Sequence, residues 1–214
     1  MRSAGNHRYG AVLALTAAMA TFTLLAPDRP LMRVVELVAA GAALMAAMLT
    51  SGARRGVRRA TGRALGVALV VVGGAAVRGA RPEELALAAT AVVSSATIAV
   101  ILGGLVRLVR ERGVVLQAVL GALAIYLLVG LVFGFLVGTL ATAFGGDYFA
   151  QGTDGVQSQR VYFSYAVLTT TGFGDLTPRT APGRALAVLE MLIGQLYLVT
   201  VIATLVGNLG RRER

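Results

Sequence analysis

The chain has 214 residues, of which 57% are hydrophobic and 14% are charged, whereas about 25% of an average soluble domain is charged. A soluble domain of this size could not cover so much apolar surface, so the composition predicts an integral membrane protein. Cysteine is absent and His7 is the single histidine. This excludes a disulfide framework, a thiolate metal site and a histidine-centred triad, and we therefore expect no enzyme and no cofactor.

Apolar stretches long enough to cross a bilayer as a helix, about 20 residues each, occur six times along the chain. We therefore predict an all-α membrane protein with six spans, at residues 9–26, 31–51, 60–77, 84–108, 114–144 and 182–209. The first stretch is not read as a signal peptide, because Leu24 stands where a cleavage motif needs a small residue.

The arginines predict the orientation of these spans. If both termini are cytoplasmic, thirteen arginines and two acids lie inside, and seven arginines and six acids lie outside. This distribution satisfies the positive-inside rule and predicts a multi-pass protein of the cell membrane. The net charge of +10 then reflects topology and attraction to anionic membrane lipids, and we expect no nucleic-acid partner.

A short apolar stretch, residues 161–169, lies between the fifth and sixth spans, after a polar loop. Nine residues cannot cross a membrane, so we predict a re-entrant pore helix, which is tolerated where protein or a water-filled cavity surrounds it. The sequence TTTGFGDLTP follows at residues 169–178.

This segment resembles the selectivity filter of the potassium channel family, whose pattern is Thr-Val/Ile-Gly-Tyr/Phe-Gly-Asp. The resemblance covers roughly residues 116–207 and implies passive conduction of K+, with backbone carbonyl oxygens replacing the hydration shell of the ion. Gly172 and Gly174 supply backbone conformations that are closed to residues with a side chain. The resemblance assigns K+ coordination to Thr170, Thr171, Gly172, Phe173 and Gly174, and places Asp175 at the outer mouth.

Three positions depart from the family pattern. Thr171 replaces the usual Val or Ile, Phe173 replaces the commoner Tyr, and Ala166 stands where some bacterial channels carry a glutamate paired with the filter aspartate. Each departure keeps the backbone carbonyls, so selectivity for K+ is expected. A weakly selective cation channel is the alternative that these departures permit.

One filter per chain supplies a quarter of a carbonyl ring, so the resemblance implies a homotetramer. A secondary potassium transporter is a less favoured alternative, because such proteins usually carry four loops with one glycine each in a single chain. A further alternative is a membrane protein whose filter-like loop does not conduct. No small-molecule substrate is expected.

The last span carries Gly194, which the resemblance assigns as a bending hinge; close packing against a neighbour is the alternative. The same alignment predicts that Gln195, Leu198 and Ile202 line the cavity below the filter. Helical spacing also defines a rival face, and we expect it to pack against neighbouring helices. It consists of Glu190, Tyr197, Thr200, Thr204 and Asn208.

Two acids lie within predicted spans. Glu190 is expected to hydrogen-bond behind the pore helix or to be protonated, and a structural role is favoured over direct ion handling. Glu36 follows Arg33 by three residues, so an i,i+3 ion pair is the expected arrangement.

The chain divides into a four-helix region, residues 1–113, and a pore domain, residues 114–214. This layout resembles that of voltage-gated channels, in which the fourth span carries a basic residue at every third position. Here Arg107 is the single basic residue of residues 84–108. We therefore expect no conventional voltage gating.

Overall fold

The computed structural model describes residues 9–51, 59, 61–63, 65–67, 70, 82–144 and 147–208. In these ranges the secondary structure is helical, and no β-strand is present. The helices in chain order are α1 (Tyr9–Leu25), α2 (Pro30–Thr50), α3 (Pro82–Arg112), α4 (Leu116–Phe144), α5 (Gln157–Leu168), α6 (Ala181–Leu196), a π-helical segment (Tyr197–Ile202) and α7 (Ala203–Gly207).

Within the described residues, four stretches of helix are long and apolar enough to cross a membrane. The helix α1 is apolar but has 17 residues, so it is shorter than a typical span. The third predicted span, residues 60–77, lies largely outside the described residues. The spanning stretches are Leu31–Thr50, Ala86–Arg112, Leu116–Thr142 and Ala181–Gly207.

The boundary predicted for the fourth span was wrong, because α3 continues from residue 108 to Arg112. Arg110 and Arg112 lie in its last turn, where basic side chains stabilise the exposed carbonyl end of a helix. Gly113 then ends the helix with a φ of 75°, and its N–H group donates to the carbonyl of Val109 over 2.9 Å.

The larger of two hydrophobic clusters among the described residues joins helices α1 to α5. Helices α1 and α3 both pack against α4, and α2 packs against α1 and α3. Within the described residues, the predicted four-helix region and the pore domain therefore share one core. Its fully buried members include Val12, Leu37, Leu87, Ile101, Leu128 and Leu131.

Three polar contacts of arginine side chains lie at the ends of helix α2. The guanidinium group of Arg33 lies 3.6 Å from the carboxylate of Glu36, which confirms the predicted i,i+3 pair, and it also pairs with Asp28. At the other end, the guanidinium of Arg107 donates to the carbonyl of Ser51, the C-cap residue of α2.

Three glycines of α4 let helix α5 approach its backbone. They are spaced four residues apart, at Gly130, Gly134 and Gly138, and so lie along one face of the helix. A Cβ atom on Gly134 would lie 2.7 Å from Cγ2 and 3.0 Å from Cα of Val161, and one on Gly130 would lie 2.7 Å from Cδ1 of Tyr165. Larger residues on this face would push α5 away, so the glycines fix its position.

Candidate functional site

Helix α5 begins four residues earlier than predicted and ends one residue earlier. The prediction was wrong about the start because the first turn is polar, which a search for apolar residues overlooks. The side chain of Gln159 accepts a hydrogen bond of 2.9 Å from the N–H of Val156, and this satisfies one of the free donors at the helix start. Residues 169–175, which we call the filter-like segment, follow directly after the end of α5.

The last four carbonyl groups of α5 all accept hydrogen bonds from outside the helix. The carbonyl of Ala166 accepts from the N–H groups of both Thr171 and Gly172, at 2.9 and 3.0 Å. Those of Tyr165 and Val167 accept from the N–H groups of Thr169 and Thr170, at 3.0 and 2.9 Å. The carbonyl of Leu168 accepts from the hydroxyl of Tyr126 on α4, at 3.3 Å. The N–H groups that follow the helix are thus fixed against its C-terminal end.

The backbone of the filter-like segment takes a left-handed conformation at every second residue. The φ angles are 57° at Thr170, 56° at Gly172 and 79° at Gly174. The two glycines match the alternation that the sequence predicts for consecutive carbonyl groups. Thr170 was not expected to join them, because a β-branched residue rarely adopts a positive φ.

The carbonyl groups of this segment are left without hydrogen-bond donors. Across the described part of the chain, no N–H or side-chain group donates to the carbonyl oxygens of Thr170, Thr171, Gly172 or Phe173. The segment is also exposed on the surface of the single chain. Four successive carbonyl oxygens are therefore available to bind a cation in place of water.

The outer end of the segment is attached to α5 through Tyr162. The Tyr162 ring stacks on Phe173, with a centroid distance of 6.2 Å and an interplanar angle of 8°. The Asp175 carboxylate lies close enough to the Tyr162 hydroxyl to interact with it electrostatically. Tyr162 thus restrains Phe173 and lies beside Asp175.

Behind the segment, two threonine hydroxyls form a short chain. The hydroxyl of Thr169 donates to the carbonyl of Tyr165 over 2.7 Å, and lies 2.8 Å from the hydroxyl of Thr171. Because the single proton of Thr169 is already used, Thr171 is the donor in the second contact. The hydroxyl that distinguishes Thr171 from Val or Ile therefore ties the segment to α5.

The loop before α5 holds the chain segment that follows the filter-like segment. The carbonyl of Thr177 accepts from the N–H of Ala150 over 2.8 Å, and the carbonyl of Tyr148 accepts from the N–H of Arg179 over 2.9 Å. The side chain of Gln151 bonds Thr177 through both its oxygen and its nitrogen. Below these contacts, a second apolar cluster packs the loop on α4 to α6: Val137, Ala141, Tyr148, Phe149, Phe163, Val167 and Ala187.

Helix α6 lies directly against the end of α5. Gly194 is buried, and a Cβ atom there would contact the carbonyl oxygen of Leu168 and lie 2.9 Å from its Cδ1. This contact favours the close-packing explanation for Gly194. The departure from regular α-helix begins three residues later, in the π-helical segment at Tyr197–Ile202.

The π-helical segment changes which residues share a face of the last span. Glu190 is buried, and the hydroxyl of Tyr197 donates to the carbonyl of Ala122 on α4 over 2.8 Å. Thr200 and Thr204 are exposed. The five predicted residues, Asn208 included, therefore do not share one face beyond Tyr197, because a π-helical turn holds more residues than an α-helical turn and rotates the residues after it.

The three predicted cavity residues differ in exposure. Gln195 is exposed, whereas Leu198 and Ile202 are partly buried. Ile202 packs against the main hydrophobic cluster of its own chain.

Several residues that shape the site were not singled out from the sequence. The glycines of α4 could have been found from their spacing of four residues, which is typical of close helix packing. Tyr126 and Ser164 gave no such signal, because their partners lie more than 25 residues away in the chain.

Comparisons with known proteins match this same part of the chain. Residues 121–210 match a family model described as "Ion channel". "Probable potassium channel protein 2" of Methanocaldococcus jannaschii is 40% identical over 62 residues, which cover 28% of this chain and 16% of that relative. No solved structure matches. The region that contains α5, the exposed carbonyls and α6 is thus similar to ion channels, and the comparisons point to a channel and not to an enzyme.

Proposed function

We propose that this protein is a potassium-selective channel that conducts K+ passively through a homotetrameric pore. The observation that carries the proposal is the filter-like segment. The N–H groups of residues 169–172 are bound to α5, while the carbonyls of Thr170, Thr171, Gly172 and Phe173 accept no hydrogen bond in the described region. Backbone carbonyls that are held in this way replace the hydration shell of K+. The similarity to a relative named as a potassium channel protein supports the same ion.

Four chains are proposed because one chain supplies one row of carbonyls, and a closed ring needs four rows around an axis. The exposed apolar side chains of α6 support assembly, since Val188, Leu192 and Leu196 are each more than half exposed in the single chain. In the tetramer these faces would pack on neighbouring chains or line the cavity together with Gln195, Leu198 and Ile202. Asp175 would provide negative charge at the outer mouth.

We further propose that the channel lies in the cell membrane with both termini cytoplasmic, in contact with membrane lipids, and that voltage does not gate it. Arg107, the single basic residue of residues 84–108, donates to the carbonyl of Ser51 at the end of α2. Gating by voltage needs several charges that move through the membrane field, at about 2.3 kcal/mol per charge and 100 mV. One tethered arginine at a helix end does not meet this need.

A weakly selective cation channel is the second candidate. Phe173 has no hydroxyl and is held by its stack on Tyr162. A stacked ring has no directional bond of the kind that a tyrosine hydroxyl forms. Greater freedom of the carbonyl ring would lower the preference for K+ over Na+ while conduction continues.

The test is the reversal potential of the purified protein in planar bilayers under opposing K+ and Na+ gradients. Wild type is compared with Gly172→Ala and with the control Gly152→Ala, because Gly152 also has a positive φ, of 75°, but lies outside the filter-like segment. We expect a value near the K+ equilibrium potential for wild type and Gly152→Ala, and its loss in Gly172→Ala.

Other results would contradict the proposal. Current with a reversal potential near zero in wild type would favour the weakly selective channel. No current, together with a subunit number other than four in light-scattering measurements, would reject the channel. A steep dependence of open probability on voltage would reject the proposed gating.

A further inference from the structure

The side chain of Glu190 is buried at the centre of the pore region. Its exposed fraction is 1%, and it lies on α6, where it faces α5. Its Oε1 atom lies 2.5 Å from the hydroxyl oxygen of Ser164. Its Oε2 atom is buried and has no hydrogen-bond partner in the described structure.

Ser164 joins three helices through one oxygen atom. It lies on α5 and is fully buried. In addition to Glu190 on α6, its hydroxyl oxygen lies 2.6 Å from the carbonyl oxygen of Gly130 on α4. All three helices of the pore region therefore meet at this hydroxyl group.

Counting protons at this junction determines the charge of Glu190. A serine hydroxyl carries one proton and can donate it in one contact, and a carbonyl oxygen has no proton to give. Two contacts of 2.5 and 2.6 Å therefore need a second proton, and the carboxyl group of Glu190 is the one group that can carry it. Ser164 then donates to Gly130 and accepts from Glu190.

The surroundings of Glu190 agree with a neutral acid. The titratable side chains that interact with it electrostatically are tyrosines: Tyr126 on α4, Tyr148 before α5 and Tyr165 on α5. Among the described residues, no arginine forms an ion pair with Glu190. An ionised carboxylate at this position would be buried without a counter-charge and with one oxygen unpaired, which is strongly unfavourable.

A second contact joins α5 and α6 one helical turn further along both helices. There Gly194, four residues after Glu190, packs on the carbonyl of Leu168, four residues after Ser164. The two contacts fix α6 to α5 along a full turn. The carbonyls of Ala166 and Val167, which hold Thr170, Thr171 and Gly172, lie between these two levels.

We propose that Glu190 is a protonated positioning residue, which donates to Ser164 and thereby holds the inner helix α6 in register with α5 and the filter. The assignment of the proton stands on the hydrogen bonds alone, whereas the effect on selectivity rests on the proposed channel function. A movement of α6 that breaks this bond would leave Ser164 bound to Gly130 of α4 alone, and would detach α6 from the helix that anchors the filter.

The experiment combines infrared spectroscopy with bilayer recordings on the full chain in lipid. The difference spectrum between wild type and Glu190→Gln is expected to contain the C=O stretch of a protonated carboxylic acid, with a shift in D2O. In Ser164→Ala the same band should move to higher frequency, because the acid loses its acceptor. Carboxylate bands in place of the acid band would show that Glu190 is ionised and would overturn the proposal. An acid band at the same frequency in Ser164→Ala would show that Glu190 does not donate to Ser164, and would overturn it too.

The positioning role is tested with Glu190→Gln and Glu190→Met, which are neutral and similar in volume. Glutamine can donate to Ser164 through its amide, whereas methionine cannot. We expect Glu190→Gln to keep the K+/Na+ permeability ratio and Glu190→Met to lower it about tenfold, because methionine leaves α6 without its hydrogen bond to Ser164. Equal ratios in the two variants would overturn the positioning role. If wild type conducts no K+, the proposed function fails, and the infrared band alone decides the state of Glu190.

Discussion

Gly194 of α6 lies against the carbonyl group of Leu168, the last residue of α5, so closely that a Cβ atom would have no room. The obstructing atoms belong to the backbone at the point where the filter-like segment begins. Such atoms cannot move aside as the end of a flexible side chain can. The position of α6 is therefore tied to the end of α5 at this residue.

Replacing Gly194 by alanine is expected to destabilise the protein. The added methyl group would separate α6 from α5 at a net cost of about 1–3 kcal/mol, and thermal unfolding in detergent measures it. Gly103→Ala on α3 is the matched control, because no atom of the described residues lies within 4 Å of its Cβ position. That variant should gain stability from the higher helix propensity of alanine. Equal unfolding temperatures in the two variants would contradict the close contact.

The glycines of α4 should differ in their tolerance of alanine. At Gly134 the added atom would lie 3.0 Å from the backbone of Val161, whereas at Gly138 the nearest atoms are the side-chain ends of Leu87, Arg160 and Gln157, at 3.1–3.2 Å. We expect Gly134→Ala to lower the free energy of unfolding by about 1–2 kcal/mol. Gly138→Ala should have little effect, because flexible side chains can shift. The reverse order in a thermal unfolding assay would show that α5 is not held by this contact.

The features that were predicted correctly from the sequence are set by interactions between residues that are close together in the chain. The glycines at 172 and 174 follow from the conformations that consecutive carbonyls require, and the Arg33–Glu36 pair follows from helical spacing. Both rules act within a few residues, so no knowledge of the fold was needed.

The remaining features depend on contacts between distant segments. Glu190 meets Ser164 across 26 residues and Ser164 meets Gly130 across 34, and no periodicity in the sequence connects them. The face predicted for the last span was lost beyond Tyr197 because a π-helical segment is set by packing, including the Tyr197 bond to Ala122. The first turn of α5 was not predicted because it is polar. In the sequence Gln157 looks like a loop residue, although the fold buries it.

Removing the hydroxyl group from Tyr148 and from Tyr165 should change the free energy of unfolding in opposite directions. The Tyr148 hydroxyl is buried without a partner in the described structure, so Tyr148→Phe should raise the free energy of unfolding by about 1 kcal/mol. The Tyr165 hydroxyl donates to the carbonyl of Leu127 over 2.8 Å, so Tyr165→Phe should lower it by about the same amount. Chemical denaturation in micelles compares the two variants.

The pH dependence provides a second measurement on Tyr148. Burial raises the pKa of its hydroxyl from 10.0 to about 12, so the folded protein keeps this proton at a pH where the unfolded chain releases it. This contribution to stability is complete below pH 10 and is lost as the pH rises towards 12. Tyr148→Phe should lose less stability than wild type in this range. An identical loss would show that Tyr148 is not shielded from water.

If the protein conducts K+ as proposed, the hydroxyls of Thr169 and Thr171 should differ in their effect on conduction. Thr171→Val removes the donor of the bond to Thr169 but leaves the hydroxyl of Thr169 bound to the carbonyl of Tyr165, so we expect the K+/Na+ permeability ratio to stay near that of wild type. Thr169→Val removes both bonds at once, because Thr169 accepts from Thr171 and donates to Tyr165. This variant should lose current more rapidly during sustained recording and have a lower permeability ratio.

The valine side chain is nearly isosteric with threonine in both variants, so a difference between them reports the hydroxyl of Thr169. A larger effect of Thr171→Val would show that the direction of the hydroxyl chain, from Thr171 to Thr169 to Tyr165, is wrong.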